Sequence, residues 1–101
     1  MPRMSVNLQF VVTIETVPPE AVMGLIVALR GVLRDESLTD DTVVDQTGRV
    51  PGVVQAYTTG PVIISGFGRW HPGFEARVKQ VAESHAPAAA VKFDWTFPDE
   101  E

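Results

Sequence analysis

From Val6 to Val17 apolar and polar residues alternate: Val6, Leu8, Phe10, Val12 and Ile14 fall on one side, Asn7, Gln9, Thr13 and Glu15 on the other. Successive side chains of a strand point to opposite faces, so this run reads as a strand with one buried and one wetted face. Pro18 and Pro19 stop it, because proline cannot donate to a ladder, and they suit the first turn of a helix.

That helix is expected over 19–35, where Val22, Leu25, Ile26, Leu29, Val32 and Leu33 recur at helical spacing as a broad core stripe. Its opposite face carries Gly24, Val27 and Gly31, with Met23 beside them, where a solvent-facing helix prefers charge and good helix formers. Residues 35–49 are long for a connection and leave room for a further short strand around Val43 and Val44. Thr47-Gly48 and Pro51-Gly52 are turn signals.

Two strands are then expected at 53–58 and 62–67, joined into a hairpin by Thr59-Gly60-Pro61. Gly66, Gly68 and Pro72-Gly73 break the pattern. A second helix follows near 72–85, with Phe74, Val78, Val81, Ala82 and His85 on one face. Residues 91–97 alternate Val91, Phe93, Trp95 and Phe97 against Lys92, Asp94 and Thr96, the mark of a last amphipathic strand. Pro98 and the acids 99–101 end it.

Strand, helix, hairpin, helix, strand is the order of a ferredoxin-like β-α-β-β-α-β sandwich, an α+β fold with an antiparallel sheet and two helices on one face. With 101 residues, residues 1–101 are expected to make a single domain around one core. Right-handed crossovers put the first and third strands at the centre and leave the other sheet face open.

The formal charge of −5 would repel a phosphate backbone, and the basic residues are scattered, so nucleic acid is not an expected partner. The opening residues lack a secretory pattern, and no apolar run is long enough to span a bilayer, so no membrane association and a cytoplasmic location are expected. Absence of cysteine removes disulfides, thiolate catalysis and cysteine metal sites.

Arg69, Trp70 and His71 lie in a Gly66 to Gly73 stretch between strand and helix, where backbone N–H groups hold anions, which makes these three the candidate ligand-binding residues. The spacing matches neither a dinucleotide fingerprint nor a phosphate loop, and a tight turn capping the core is the plainer account. His71 and His85 would stand about 21 Å apart on one helix and cannot share a metal. Asp35, Glu36, Asp40, Asp41 and Asp45 lack the order of a calcium loop. No metal and no cofactor are therefore expected, and no serine sits in a nucleophile elbow.

The function these features favour is non-enzymatic: a small binding protein engaging another protein, with an inhibitor, immunity or antitoxin-like role against a basic partner. Gly24, Val27, Gly31, Asp40, Asp41 and Asp45 are its candidate partner-binding residues. The alternative is a small oligomeric enzyme or ligand sensor using a pocket on the open sheet face, with Arg69, Trp70 or His71 at its rim. Val53-Val54 and Val62-Ile63-Ile64 put apolar side chains on both strand faces, so a homo-oligomer is also expected, meeting through the open sheet or the Gly24, Val27 and Gly31 face.

Overall fold

The computed structural model describes residues 5–46 and 52–97. The turn signals Thr47-Gly48 and Pro51, the side chain of Val6 and the acidic end from Pro98 lie outside them. Strand β1, Ser5–Glu15, buries Leu8, Phe10, Val12 and Ile14. Helix α1, Pro19–Asp35, starts with proline at its first position and buries all six residues of the predicted stripe. Burial of each such side chain contributes roughly 1.5–3 kcal/mol.

After α1 the chain bends at Ser37, φ +61°, and Leu38 is buried. A 3-10 turn, Thr39–Asp41, leads into strand β2, Thr42–Gln46. The Thr42 hydroxyl donates to the Leu38 carbonyl at 2.7 Å and fixes the entry. The further strand for which residues 35–49 leave room is therefore present.

Strands β3, Val54–Thr58, and β4, Val62–Ser65, follow. They do not form the hairpin expected of Thr59-Gly60-Pro61. Both run antiparallel to β1 and succeed one another along it, β3 opposite Val11–Ile14 and β4 opposite Ser5–Leu8. Between Val11↔Tyr57 and Leu8↔Val62 the partner strand carries two residues more than β1 does, so the glycine and proline absorb an insertion within one interrupted strand. The hairpin of this fold is β2 with β3, paired Thr42↔Thr58 to Gln46↔Val54.

At the β2–β3 end Gly52 is held at φ +81°, and a Cβ there would lie 3.0 Å from the Val17 carbonyl oxygen. The Val17 N–H donates to the Gly52 carbonyl at 2.8 Å. A side chain would meet both a strained backbone and a clash at this joint.

Helix α2 spans Phe67–His85 and strand β5 Ala90–Thr96. The helix starts five residues before the predicted point because Gly66 adopts φ +65° as its N-cap, a conformation open to glycine at little cost. Pro72 thus lies inside the helix, and having no N–H it leaves the Gly68 carbonyl without its helical donor.

β1 is paired to β3 and to β5 over the same residues, so the order across the sheet is β2-β3-β1-β5, a ferredoxin-like arrangement. The central place beside β1, expected of the strand at 62–67, is held by Val54–Thr58, with β2 outside it. α1 packs on β2 and β3, and α2 on β1, β4 and β5. One core joins the helices to a single sheet face, with Phe10, Leu8, Ile14, Leu25, Leu29, Val12, Val54 and Val78 fully enclosed.

Candidate functional site

Arg69, Trp70 and His71 stand in the first turns of α2 rather than in a loop. Three consecutive helical residues point about 100° apart, so they diverge. The Trp70 ring stacks on Phe74 at 4.7 Å, and its indole N–H donates to Glu36 Oε1 at 2.8 Å. His71 lies parallel to Phe67 at 4.8 Å and edge-on to Trp95. Arg69 is exposed. These residues belong to the helix layer and do not rim the open sheet face.

Glu36 also accepts from Arg77 Nη1 at 3.0 Å, while Arg77 Nη2 reaches Asp35 at 2.9 Å. Two carboxylates at the C-terminal end of α1 oppose the helix dipole, and Arg77 offsets them. The hydrogen bond to Asp35, more than the one to Glu36, holds the Arg77 guanidinium above its ordinary pKa. Asp35 and Glu36 thereby fasten the two helices together.

On the outer side of α1, Met23 and Val27 are 68% and 62% exposed. Gly24 has a packing role: a Cβ there would meet the His85 ring at 3.2 Å, so its absence lets the end of α2 close on α1. Gly31 has nothing within 4 Å of such a Cβ. With Val27, Arg30, Arg34 and Thr39 it lines a shallow depression of about 310 Å³. A second, of about 250 Å³, lies beyond Arg30 against Leu33, Thr42, Val43 and Val44. Arg30 itself donates to the Val44 carbonyl at 3.4 Å.

The acidic candidates separate. Asp40 and Asp41 are exposed in the 3-10 turn that follows Leu38 beside this depression. Asp45 is on β2, and its carboxylate accepts from the Gln46 N–H at 2.8 Å. Among the described residues no group of three His, Asp or Glu side chains comes together where a metal ion could be held.

The open sheet face is more polar than the valine and isoleucine runs imply. Pairing brings Val43, Tyr57, Val11 and Asp94 into one row and Asp45, Gln55, Thr13 and Lys92 into the next. Val54, Val62 and Ile64 are buried under the helices, and Ile63, 70% exposed, stands apart opposite Asn7. A concavity of about 410 Å³ lies over the end of β3, lined by Gln9, Phe10, Val11, Gln55, Tyr57, Thr58 and Thr96. Thr58 shapes it: its hydroxyl accepts from the Phe10 N–H at 3.1 Å, a side chain standing in where the ladder stops. Sequence reasoning missed this concavity because it arises from the interruption at 59–61, which turn chemistry alone equates with a hairpin.

No protein-family model matches the sequence, and no curated protein matches it. Among solved structures, a dinuclear metal-binding peptidase of the M20 family from Bacillus subtilis resembles the chain with a TM-score of 0.52 at 18% identity. The match covers 95% of this chain and 27% of that one. At this identity the likeness is one of fold. Among the described residues no helix is long and apolar enough to cross a membrane.

Proposed function

We propose that the chain is a non-enzymatic protein-binding module whose contact surface is the outer ridge of α1 with the adjoining turn Thr39–Asp41. One observation carries this: Met23 and Val27 stand exposed one helical turn apart and lead to the depression at Gly31 between Arg30 and Arg34. Residues four apart form a ridge that packs into the groove of another helix, and a glycine at its end admits close approach. Asp40 and Asp41 beside it supply charge for a basic partner, in keeping with the net charge of −5, and an inhibitor, immunity or antitoxin-like role in the cytoplasm suits such a surface.

The test is a photoreactive side chain placed at Val27 or, as control, at Ile63, irradiated in cells and followed by mass spectrometry of the adducts. A discrete adduct with another protein at position 27 and none at 63 supports the reading. No adduct at 27, or adducts with this chain alone, overturns it.

The concavity over Tyr57 favours a second reading, a ligand sensor or small oligomeric enzyme. Gln9, Gln55, Tyr57, Thr58 and Thr96 offer hydrogen-bonding groups of both kinds around it, which suits a small uncharged polar molecule. Ligand-observed NMR with a set of such molecules, repeated on Tyr57→Ala, tests this reading. Signals that persist unchanged in the variant would place binding elsewhere.

A further inference from the structure

The two edges of the sheet differ. At the β2 edge Asp45 occupies the Gln46 N–H and Arg30 the Val44 carbonyl, so two of the polar groups that would template another strand are already engaged. β5 is seven residues long, carries no proline, and among the described residues pairs only with β1. Its outward groups follow from alternation. The Thr58 hydroxyl meets both the N–H and the carbonyl of Phe10, so even-numbered residues of β1 aim at β3 and odd-numbered ones at β5. Asp94, opposite Val11, and Lys92, opposite Thr13, therefore bond to β1, and Val91, Phe93 and Trp95 turn their N–H and carbonyl groups to the free edge.

We infer that two copies of the chain join antiparallel along β5, centred on Phe93, to make one continuous sheet with all four helices on the same face. The sequence of β5, Ala90-Val91-Lys92-Phe93-Asp94-Trp95-Thr96, complements itself in this register. Lys92 faces Asp94 of the second copy and Asp94 faces its Lys92, on the open side of the sheet. Opposite charges directly across a strand pair attract, and like charges repel. On the helix side Phe93 meets Phe93, and Val91 meets Trp95 of the second copy. The outward backbone groups of these same residues are those that the register pairs, as a two-fold axis through a hydrogen-bonded pair requires.

Size complementarity points the same way. Beside Val91 a groove of about 220 Å³ runs between α2 and β5, lined by Lys79, Ala82, Glu83, Pro87, Ala89 and Val91. One copy's small residues Ala89 and Val91 lie opposite the second copy's large ones, Phe97 and Trp95, both half-buried within their own chain. This contact is separate from the α1 ridge, so the failure of either proposal leaves the other standing.

The test is a charge exchange read by sedimentation equilibrium on the full chain at micromolar concentration. The native chain is expected at twice its 11.0 kDa. Asp94→Lys alone sets Lys92 against lysine twice, and Lys92→Asp alone sets Asp94 against aspartate twice, so each is expected to dissociate at least about tenfold more readily. Mixing the two variants restores both attractions and is expected to restore a mixed dimer. Circular dichroism of each variant shows that it is folded. A native monomer, dimers that survive in both variants, or a folded mixture that stays monomeric would each overturn the inference.

Discussion

The indole of Trp70 donates its N–H to the carboxylate of Glu36 at 2.8 Å, binding the second turn of α2 to the C-terminal end of α1. Replacing Trp70 by Phe keeps the ring stacked on Phe74 and removes the donor. We expect a loss of about 1 kcal/mol in urea unfolding, the usual net contribution of a hydrogen bond to a charged acceptor being of this order or somewhat larger. No change in the midpoint would show that water replaces the indole without cost.

Arg77 bridges the same carboxylate and Asp35 from an exposed position. Its pKa is raised, so the stabilisation is fully present below the ordinary arginine range and is lost only as pH climbs past it. Between pH 6 and 9 the contribution of Arg77 should thus be flat. Screening is what weakens it: the stability difference between native and Arg77→Met should shrink as salt rises from about 0.05 to 1 M. A difference that grows with salt would contradict the assignment.

Gly24 and Gly31 share one helix and differ in surroundings. Ala is favoured over Gly in a helix interior by roughly 0.8–1 kcal/mol, and nothing stands near a Cβ at position 31. Gly31→Ala should therefore raise the thermal midpoint. Gly24→Ala should gain less, since the His85 ring at 3.2 Å must give way. Gly24→Val, with two further carbons aimed at that ring, should destabilise. Equal gains at 24 and 31 would mean that His85 does not rest on Gly24.

Thr58→Val keeps the shape of the side chain and deletes the hydroxyl that meets Phe10. The Phe10 N–H then lacks its partner at 3.1 Å, and leaving such a group unpaired costs roughly 1–3 kcal/mol. Exchange of the Phe10 amide proton, measured by NMR, should accelerate along with the loss of global stability. Protection unchanged at Phe10 would show that the backbone closes the gap by itself.

Ile63→Glu tests the open sheet as an assembly surface. Ile63 is 70% exposed, and a charge at such a position usually changes stability by less than about 0.5 kcal/mol. Stability and oligomeric state are both expected to match the native chain. Dissociation caused by this change would move the self-contact from the β5 edge to the sheet face.

Much of this architecture is legible in the order of the amino acids. The stripe from Val22 to Leu33 and the alternations in β1 and β5 are set by burial, and burial is what periodicity records. The places that resist reading are those where one residue type serves two geometries. Thr59-Gly60-Pro61 suits a reversal or a local insertion, and only the pairing of both flanking strands to β1 separates them. Gly66 reads as a breaker but is the left-handed residue that starts α2, so a helix containing Pro72 looks shorter in sequence than it is. β2 hides its single inward-facing anchor, Val44, among aspartates. The candidate surface on α1 is visible as misplaced glycine and valine, yet the packing duty of Gly24 depends on His85, sixty-one positions away in the chain. The self-matching pattern of β5 is present in the letters and gains meaning only once β5 is known to lie at an edge.

The placement of β1 governs how the chain must find its shape. Strand β1 takes its neighbours from residues 54–65 and from residues 90–96, so it is made well before the strands that satisfy it. Closing such long loops loses backbone freedom before any contact rewards it, which slows folding relative to chains built from local contacts. While synthesis proceeds at about 5–20 residues per second, Leu8, Phe10, Val12 and Ile14 spend several seconds without the sheet that shelters them. A nascent chain of this design therefore carries an extended apolar segment unsheltered for as long as residues 54–65 and 90–96 are still to be made.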